Sequence, residues 1–568
     1  MQKKDTQNYS NIILFVIFIL ATILRFSPIF WRRDFWYDEA FTGIITRMSW
    51  SEMWWMIFHD VHPPLYYYLL KPWAALFNYS AFGFRSFSVL FGLLSIWSIY
   101  YIGKKIFNEK VGLTGAFLMT ISPFAVQYSQ EARMYALFGF ISLWLTYFFI
   151  KALRGNNWRY WIIWGILGVL FLYTHYLALF TFVIFYLVAL GYQFMFAGTP
   201  PQLPFTKEGE KNAFKKRAEE SVSLTKEKKG VALLTEKQRR NTNNSKDGFL
   251  FKDENGVLIP PFEKGGTGGI FGKRVQLLFI NKKFIGAVAI IVVAFILWLP
   301  ALKQHLSREG LGWVPVVYVS ETPRTMQFFL YGHQPGKILE PIPNEFRNLN
   351  FTLSNEQPGN LFDGASLGLI FLLIIFFGIL KLWRENKYRQ EIFILTGLSF
   401  GVLLFLTLLS QIGWRFYVAR YFMATAVLIY LLLAVVIAHF NKWWRWAILG
   451  FYVLTLFWLK PIPYDHSWTD VLRDNELVNN ETIVIADNAF EYATARFHFG
   501  EGRVKLYNRG EPDQDLSAWI IVEPEDQITT LDNYINQQNV IYVGAGDCHW
   551  NQYQLQPAKK IGRLQVCG

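Results

Sequence analysis

The apolar residues of this chain fall into blocks of about twenty separated by short charged connectors, and no other feature restricts its fold as much. A helix needs about 20 apolar residues to cross roughly 30 Å of hydrocarbon, where every backbone N–H and C=O must be paired within the segment. With 53% hydrophobic and 18% aromatic residues among 568, the composition excludes an ordinary soluble enzyme. The formal charge of +13 is not a nucleic-acid signal, because Lys and Arg sit at block ends and in one long loop. Positive-inside bias accounts for that distribution. Cys548 and Cys567 are too few for a metal cluster or a disulfide framework.

Eleven spans are expected, at about 11–30, 82–102, 111–127, 135–152, 158–175, 177–195, 284–301, 363–382, 391–411, 417–440 and 444–459. The first follows Lys3 and Lys4 and runs into Trp31-Arg32-Arg33 with no small-residue cleavage site, so it reads as an uncleaved span with a cytoplasmic N-terminus. Arg25, near its outer end, is expected either to snorkel to the interface or to meet an anionic headgroup. Residues 31–80 then read as a long outer segment. Trp50, Met53, Trp54, Ile57 and Phe58 recur at helical spacing, which predicts a helix lying along the interface, and His62-Pro63-Pro64 stops it. A second aromatic piece, Leu65 to Phe77, carries Lys71 on an apolar surface. The alternation of connectors puts Lys104-Lys105 and the Arg154 to Arg159 stretch in the cytoplasm. It puts Gln130-Glu131-Ala132-Arg133 and Thr174-His175-Tyr176 on the same outer side as Asp38-Glu39.

Four parts follow from this pattern. Residues 1–195 form an N-terminal membrane part with a large first outer loop. Residues 196–283, rich in Lys, Glu, Gly, Pro and Asn, read as a disordered cytoplasmic insertion. Residues 284–459 form a C-terminal membrane part whose outer loop, 302–362, carries Trp313, Tyr318, Arg324, Tyr331 and His333. Residues 460–568 read as a small α/β extracytoplasmic domain with a partly parallel sheet. Its expected strands are Thr482–Ala486, Ala518–Val522 and Val540–Val543, with a helix over Thr529–Gln538. Cys548 and Cys567 would meet an oxidising compartment there and could pair.

The outer face thus collects Asp38, Glu39, His62, Lys71, Arg85, Glu131, Arg133, Arg415 and Arg420 among Trp and Tyr. Carboxylates so placed can activate a hydroxyl or amine nucleophile, or bind a cation. Guanidinium groups hold a phosphate as negative charge develops on it, and Arg415 and Arg420, five apart at a membrane boundary, either do this or anchor the interface. Together the parts fit group transfer from a lipid-linked phosphate. A polytopic transporter would instead concentrate its charges and helix breaks at mid-membrane. A lipid-binding scaffold would tolerate Asp38→Asn, and a polyprenyl-dependent glycan ligase or polymerase is set apart mainly by Asp38-Glu39.

The ordered motifs Leu24-Arg25, Trp36-Tyr37-Asp38-Glu39-Ala40, His62-Pro63-Pro64-Leu65-Tyr66-Tyr67 and Tyr128-Ser129-Gln130-Glu131-Ala132-Arg133-Met134-Tyr135 resemble the glycosyltransferase 39/83 group. These are GT-C class membrane enzymes related to protein O-mannosyltransferases and to the aminoarabinose transferase of lipid A. The likeness covers the first two hundred residues, and the later spans in topology. It implies inverting transfer of a sugar from a polyprenyl or dolichyl phosphate at the outer face of the cytoplasmic membrane, to a lipid, glycan or protein acceptor. By motif, Asp38 is the implied general base, and Glu39 supports the site or the acceptor. Glu131 is implied as a second acid or as a ligand to a divalent metal ion, and Arg133 as a contact to substrate or donor phosphate. Arg25, Lys71, Arg85, Arg415 and Arg420 are assigned to the phosphate by charge and side. His62 is either a ligand or a structural hydrogen-bonding group at the Pro-Pro turn. The chain departs from the pattern in its long insertion after residue 195 and in lacking recognisable MIR-type repeats, which leaves acceptor choice as a candidate role for the C-terminal domain.

Overall fold

The computed structural model describes residues 2–31, 35–155, 157–196, 282–306, 316–332, 366–414, 416–459, 469, 472, 478–507, 522, 524–534, 537, 539–545, 549–550, 553–554, 557–561 and 564–567. Contacts divide the chain into a unit of residues 1–189 with 283–568 and a second of 190–282; the first is described below. The insertion lies almost wholly outside the described residues, as do Trp313, His333, Arg415, Cys548 and most of the expected strand Ala518–Val522.

The N-terminal half runs α1 (Gln2–Trp31), α2 (Tyr37–Arg47), α3 (Trp50–His59), α4 (Leu65–Leu76), α5 (Ala81–Ile106), α6 (Glu109–Ile121), α7 (Pro123–Ser129), α8 (Tyr135–Gly155), α9 (Trp158–Leu172) and α10 (Leu177–Phe196). It continues with α11 (Lys282–Ile296), α12 (Leu299–Leu306), α13 (Thr322–Tyr331), α14 (Ser366–Arg384), α15 (Arg389–Gln411), a short 3₁₀ turn at Ala419–Phe422, α16 (Met423–His439) and α17 (Lys442–Leu459). Each of the eleven expected blocks holds a helix. Seven are long and apolar enough to cross a membrane, or up to nine if the bent pairs α6–α7 and α11–α12 each count as one span. Helix α9 has 15 residues and α17 is rich in Trp, so neither reaches that standard by length and hydropathy together.

Both bends have a proline as their cause. Pro123 has no N–H to give to the Met119 carbonyl four residues back, and Pro300 stands in the same relation to Ile296, where α11 ends. The pairs turn by 68° and 67° at these points, so the blocks read as straight spans at 111–127 and 284–301 are broken helices.

Helix α16 carries no charged residue before His439 and is apolar on every side, which is the composition of a helix buried all round. It is indeed enclosed, packing against α6, α8, α14 and α15. Helix α1 instead buries one stripe at four-residue spacing, Ile17, Ala21, Arg25 and Ile29, and leaves Phe15, Val16, Ile19 and Ile23 exposed. In the first loop, α3 begins with a capping box of Ser49 and Glu52, buries Met53, Met56 and Ile57, and exposes Trp50, Trp54 and Trp55. Helix α13, inside the expected loop 302–362, packs on α7 and α14.

The C-terminal part comprises β1 (Ile483–Ala486), α18 (Ala489–Phe499), β2 (Val504–Tyr507), β3 (Gln527–Ile528), β4 (Val540–Ala545), β5 (His549–Trp550), β6 (Tyr553–Gln554), β7 (Pro557–Ile561) and β8 (Leu564–Cys567). Six strands form one sheet in the order β3-β2-β1-β4-β8-β7. Strands β3, β2, β1 and β4 pair in parallel, and β8 and β7 complete the sheet antiparallel, so it is partly parallel. Among the described residues of Thr529–Gln538 the expected helix is not seen: Asp532–Tyr534 make a turn, the Tyr534 amide bonding to the Leu531 carbonyl at 2.8 Å. Three Asn and Asp residues in this stretch, whose side chains compete for backbone bonds, favour that outcome.

Helix α18 covers the sheet on one face and α2 on the other side of itself. Phe35 stacks on Phe497 at 4.6 Å, Tyr37 meets Phe490 edge-on at 4.4 Å, and the Phe35 amide donates to His498 Nε2 at 2.8 Å. Gly43 permits this approach, since a Cβ there would collide with the Phe497 ring. Tyr37 consequently packs against the hydrophobic cluster of Val484, Tyr492, Phe499, Leu506 and Val543.

Candidate active site

Asp38 and Glu39 open α2, where the helix dipole favours acidic side chains. Adjacent helical residues point about 100° apart, and here that rotation separates two environments. Glu39 turns inward and is 1% exposed. Arg85 grips it with both arms, Nε to Oε1 at 2.9 Å and Nη2 to Oε2 at 2.5 Å, and the Ala132 amide adds a third bond to Oε1 at 2.8 Å. A buried pair satisfied in this way ties α2, α5 and the 130–134 loop together.

Asp38 faces a less enclosed space, its side chain 15% exposed. Its Oδ2 lies 3.9 Å from Arg133 Nε and 3.8 Å from Arg420 Nη2. These separations give electrostatic support and exceed hydrogen-bond length. Arg420 in turn lies over the Trp36 ring at 5.3 Å.

Arg133 is almost fully buried and spans the site. Its Nη1 donates to Thr42 Oγ1 and Tyr67 OH, both at 3.2 Å, and to the Asp38 carbonyl at 3.4 Å. Its Nη2 donates to His62 Nε2 at 2.8 Å, which requires an unprotonated Nε2 and leaves Nδ1–H to donate to Asp60 Oδ2 at 2.9 Å. Burial raises the Asp60 carboxyl, but the His62 ring, its hydrogen bond and the Arg133 charge outweigh it and hold Asp60 below the ordinary carboxylate range. His175 closes the other side, its ring 4.7 Å from that of Tyr421. Burial, reinforced by the guanidinium charges of Arg133 and Arg420, pushes its imidazole well below the ordinary value, and its Nδ1 accepts the Leu177 amide at 3.1 Å.

The structure therefore brings Asp38, Glu39, His62, Arg85, Arg133 and Arg420 together. Glu131 is buried in the same loop, with Oε1 3.4 Å from Gln127 Nε2. Lys71 lies elsewhere: it donates to the carbonyls of Thr46 and Met48, closing the far end of α2, about 12 Å along the helix from Asp38 at 1.5 Å per residue. Burial lowers its ammonium from the ordinary value. Arg25 does not snorkel. It is wholly buried, and donates to the Met119 and Thr120 carbonyls at 2.9 and 3.2 Å and to Ser129 Oγ at 3.3 Å. Those are the carbonyls freed where Pro123 breaks the helix, so Arg25 caps the break. Arg415 lies outside the described residues.

Sequence reasoning missed Asp60, Thr42, Tyr67, Tyr135 and His175 as parts of this cluster. Asp60 stands two residues before His62, and Tyr135 ends the Tyr128–Tyr135 motif, so both lay within stretches already singled out. Among the described residues, no three His, Cys, Asp or Glu side chains gather to hold a metal ion. Asp38 faces two guanidinium groups, which disfavours a divalent cation beside it.

Residues 61–203 match the family model described as dolichyl-phosphate-mannose-protein mannosyltransferase. The structure aligns with ArnT from Cupriavidus metallidurans bound to undecaprenyl phosphate, covering 99% of this chain and 98% of that one, at 10% identity and a TM-score of 0.51. The family match covers about a quarter of the chain. The likeness to ArnT is one of fold, and the motif positions above fall within or just ahead of the matched segment. A weaker alignment is to the archaeal oligosaccharyltransferase AglB from Archaeoglobus fulgidus, in complex with an inhibitory peptide and a dolichol-phosphate. It covers 95% of this chain and 70% of that one, at 13% identity and a TM-score of 0.44. No curated protein matches the chain in sequence.

Proposed function

We propose that the protein is a membrane glycosyltransferase that moves a sugar from a polyprenyl-phosphate donor to an acceptor at the outer face of the cytoplasmic membrane, with inversion, and that Asp38 is the base. The observation that carries the reading is the difference between the two acids. Glu39 is consumed by three N–H donors, whereas Asp38 is held by charge alone between Arg133 and Arg420.

In the reaction, Asp38 takes the proton of an acceptor O–H or N–H while that heteroatom bonds to the anomeric carbon. The bond from that carbon to the phosphate oxygen breaks, and its electron pair leaves with polyprenyl phosphate. Arg420 and Arg133 stabilise the negative charge that gathers there, a task suited to fixed guanidinium groups in a water-poor site. No step is routed through a metal ion. The orientation has its own support: Lys104, Lys105, Arg154, Lys381, Arg384, Arg389, Lys442 and Arg445 occur at the helix ends away from Asp38, as positive-inside bias asks of a cytoplasmic face. ArnT and AglB, with undecaprenyl phosphate and dolichol-phosphate in their structures, lend the donor class. The C-terminal sheet, on the outer side in this reading, is a candidate for acceptor selection.

The test is sugar transfer from a panel of polyprenyl-phosphate sugars to envelope lipids and proteins, comparing wild type with Asp38→Asn in the same membranes. A base contributes on the order of 10²- to 10⁴-fold, so a loss of that size with unchanged melting is expected. Equal transfer by the two proteins would remove Asp38 from the mechanism.

A further inference from the structure

Tyr135 is the first residue of the 21-residue helix α8 and is 1% exposed, yet its hydroxyl has no hydrogen-bond partner among the described residues. Buried hydroxyls are nearly always paired, so one without a partner asks what it meets. Its ring is fixed, edge-on to Tyr128 at 5.4 Å and 6.3 Å from both His175 and Tyr421. The charged groups of the site neighbour it in the chain and across the ring contact: Arg133 stands two positions before it, and Tyr421, against its ring, follows Arg420. It therefore looks into the space where Asp38 stands between the two arginines, at a helix N-terminus whose aligned amides also favour an anion.

The geometry points to Tyr135 as a further substrate-contacting residue, donating its O–H to a phosphate oxygen of the polyprenyl-phosphate leaving group. This rests on the donor reading given above. A neutral donor suits the position, because Arg133 and Arg420 already balance Asp38 and a third cation would draw the base out of use. The hydrogen bond strengthens as the sugar–oxygen bond breaks and its electron pair moves onto the phosphate oxygen. A structural tyrosine would behave differently: its hydroxyl would have a protein partner, and removing it would cost stability.

The experiment measures binding of undecaprenyl monophosphate to the full-length protein in nanodiscs, together with ligand-free melting, for wild type, Tyr135→Phe and Asp38→Asn. Phe keeps the ring contacts, so Tyr135→Phe should melt at or above the wild-type temperature while binding weakens roughly 10- to 100-fold, the size of one hydrogen bond to a charged group. Transfer should fall at least as much. Wild-type binding by Tyr135→Phe, or a clear drop in its ligand-free melting temperature, would overturn the assignment. If wild type itself binds no undecaprenyl monophosphate, the donor reading fails and this proposal with it. If wild type and Asp38→Asn both bind but Asp38→Asn transfers normally, the base assignment fails while Tyr135 stands.

Discussion

Arg85 and Glu39 are each less than 5% exposed, and they pair with one another in that setting. Arg85→Met should therefore cost about 3–5 kcal/mol of stability, because Glu39 would stay buried without its counter-charge. Thermal unfolding in detergent measures this, and a loss under about 1 kcal/mol would mean water reaches Glu39. His175 gives a pH dependence of definite sign. Its folded pKa lies well below the unfolded value of about 6.5, so as pH falls through about 6.5 the unfolded chain takes up a proton that the folded chain refuses. Stability is full above that pH and declines below it. Replacing His175 with Gln should flatten the fall in melting temperature between pH about 6.5 and 5, and an unchanged slope would assign the acid sensitivity to other groups. Only the family resemblance ranked Asp38 above Glu39 as the base, and the residues alone do not say which acid faces inward, because that depends on Arg85 and Ala132, 46 and 93 positions away. Arg25 was misread for the same reason, since its acceptors belong to a helix 94 and 95 positions on.

At the scale of elements, the helices were legible because hydrocarbon thickness fixes their length and proline fixes their ends. The bends at Pro123 and Pro300 follow from missing N–H groups, but a hydropathy block averages over such a point and returns one straight span. The docking of α18 on α2 was not legible at all, because Phe497 and Gly43 carry no mark in the sequence of their meeting. It makes a prediction of its own. Gly43→Val should push Phe497 away, cost about 1–3 kcal/mol at the joint, and expose α18 to limited proteolysis while leaving the membrane helices intact. Transfer should fall too, since Asp38 lies on the same short helix. A protease pattern identical to wild type would show that the joint tolerates the extra methyl groups.

For the whole molecule, the testable quantity is which end of the helical bundle faces out. With the native cysteines replaced, a thiol placed at Ser49 should react with a membrane-impermeant maleimide in intact cells, and one at Asn157 only after permeabilisation; the reverse would invert the proposed topology. The contact between Phe35 and His498 spans 463 positions, and Tyr37 joins a hydrophobic cluster built from residues between Leu472 and Val543. The setting of the helix that carries the proposed base is thus finished by a segment 463 positions further along the chain. Chains in which the C-terminal sheet is unfolded are expected to hold α2 loosely, and the proposed base with it.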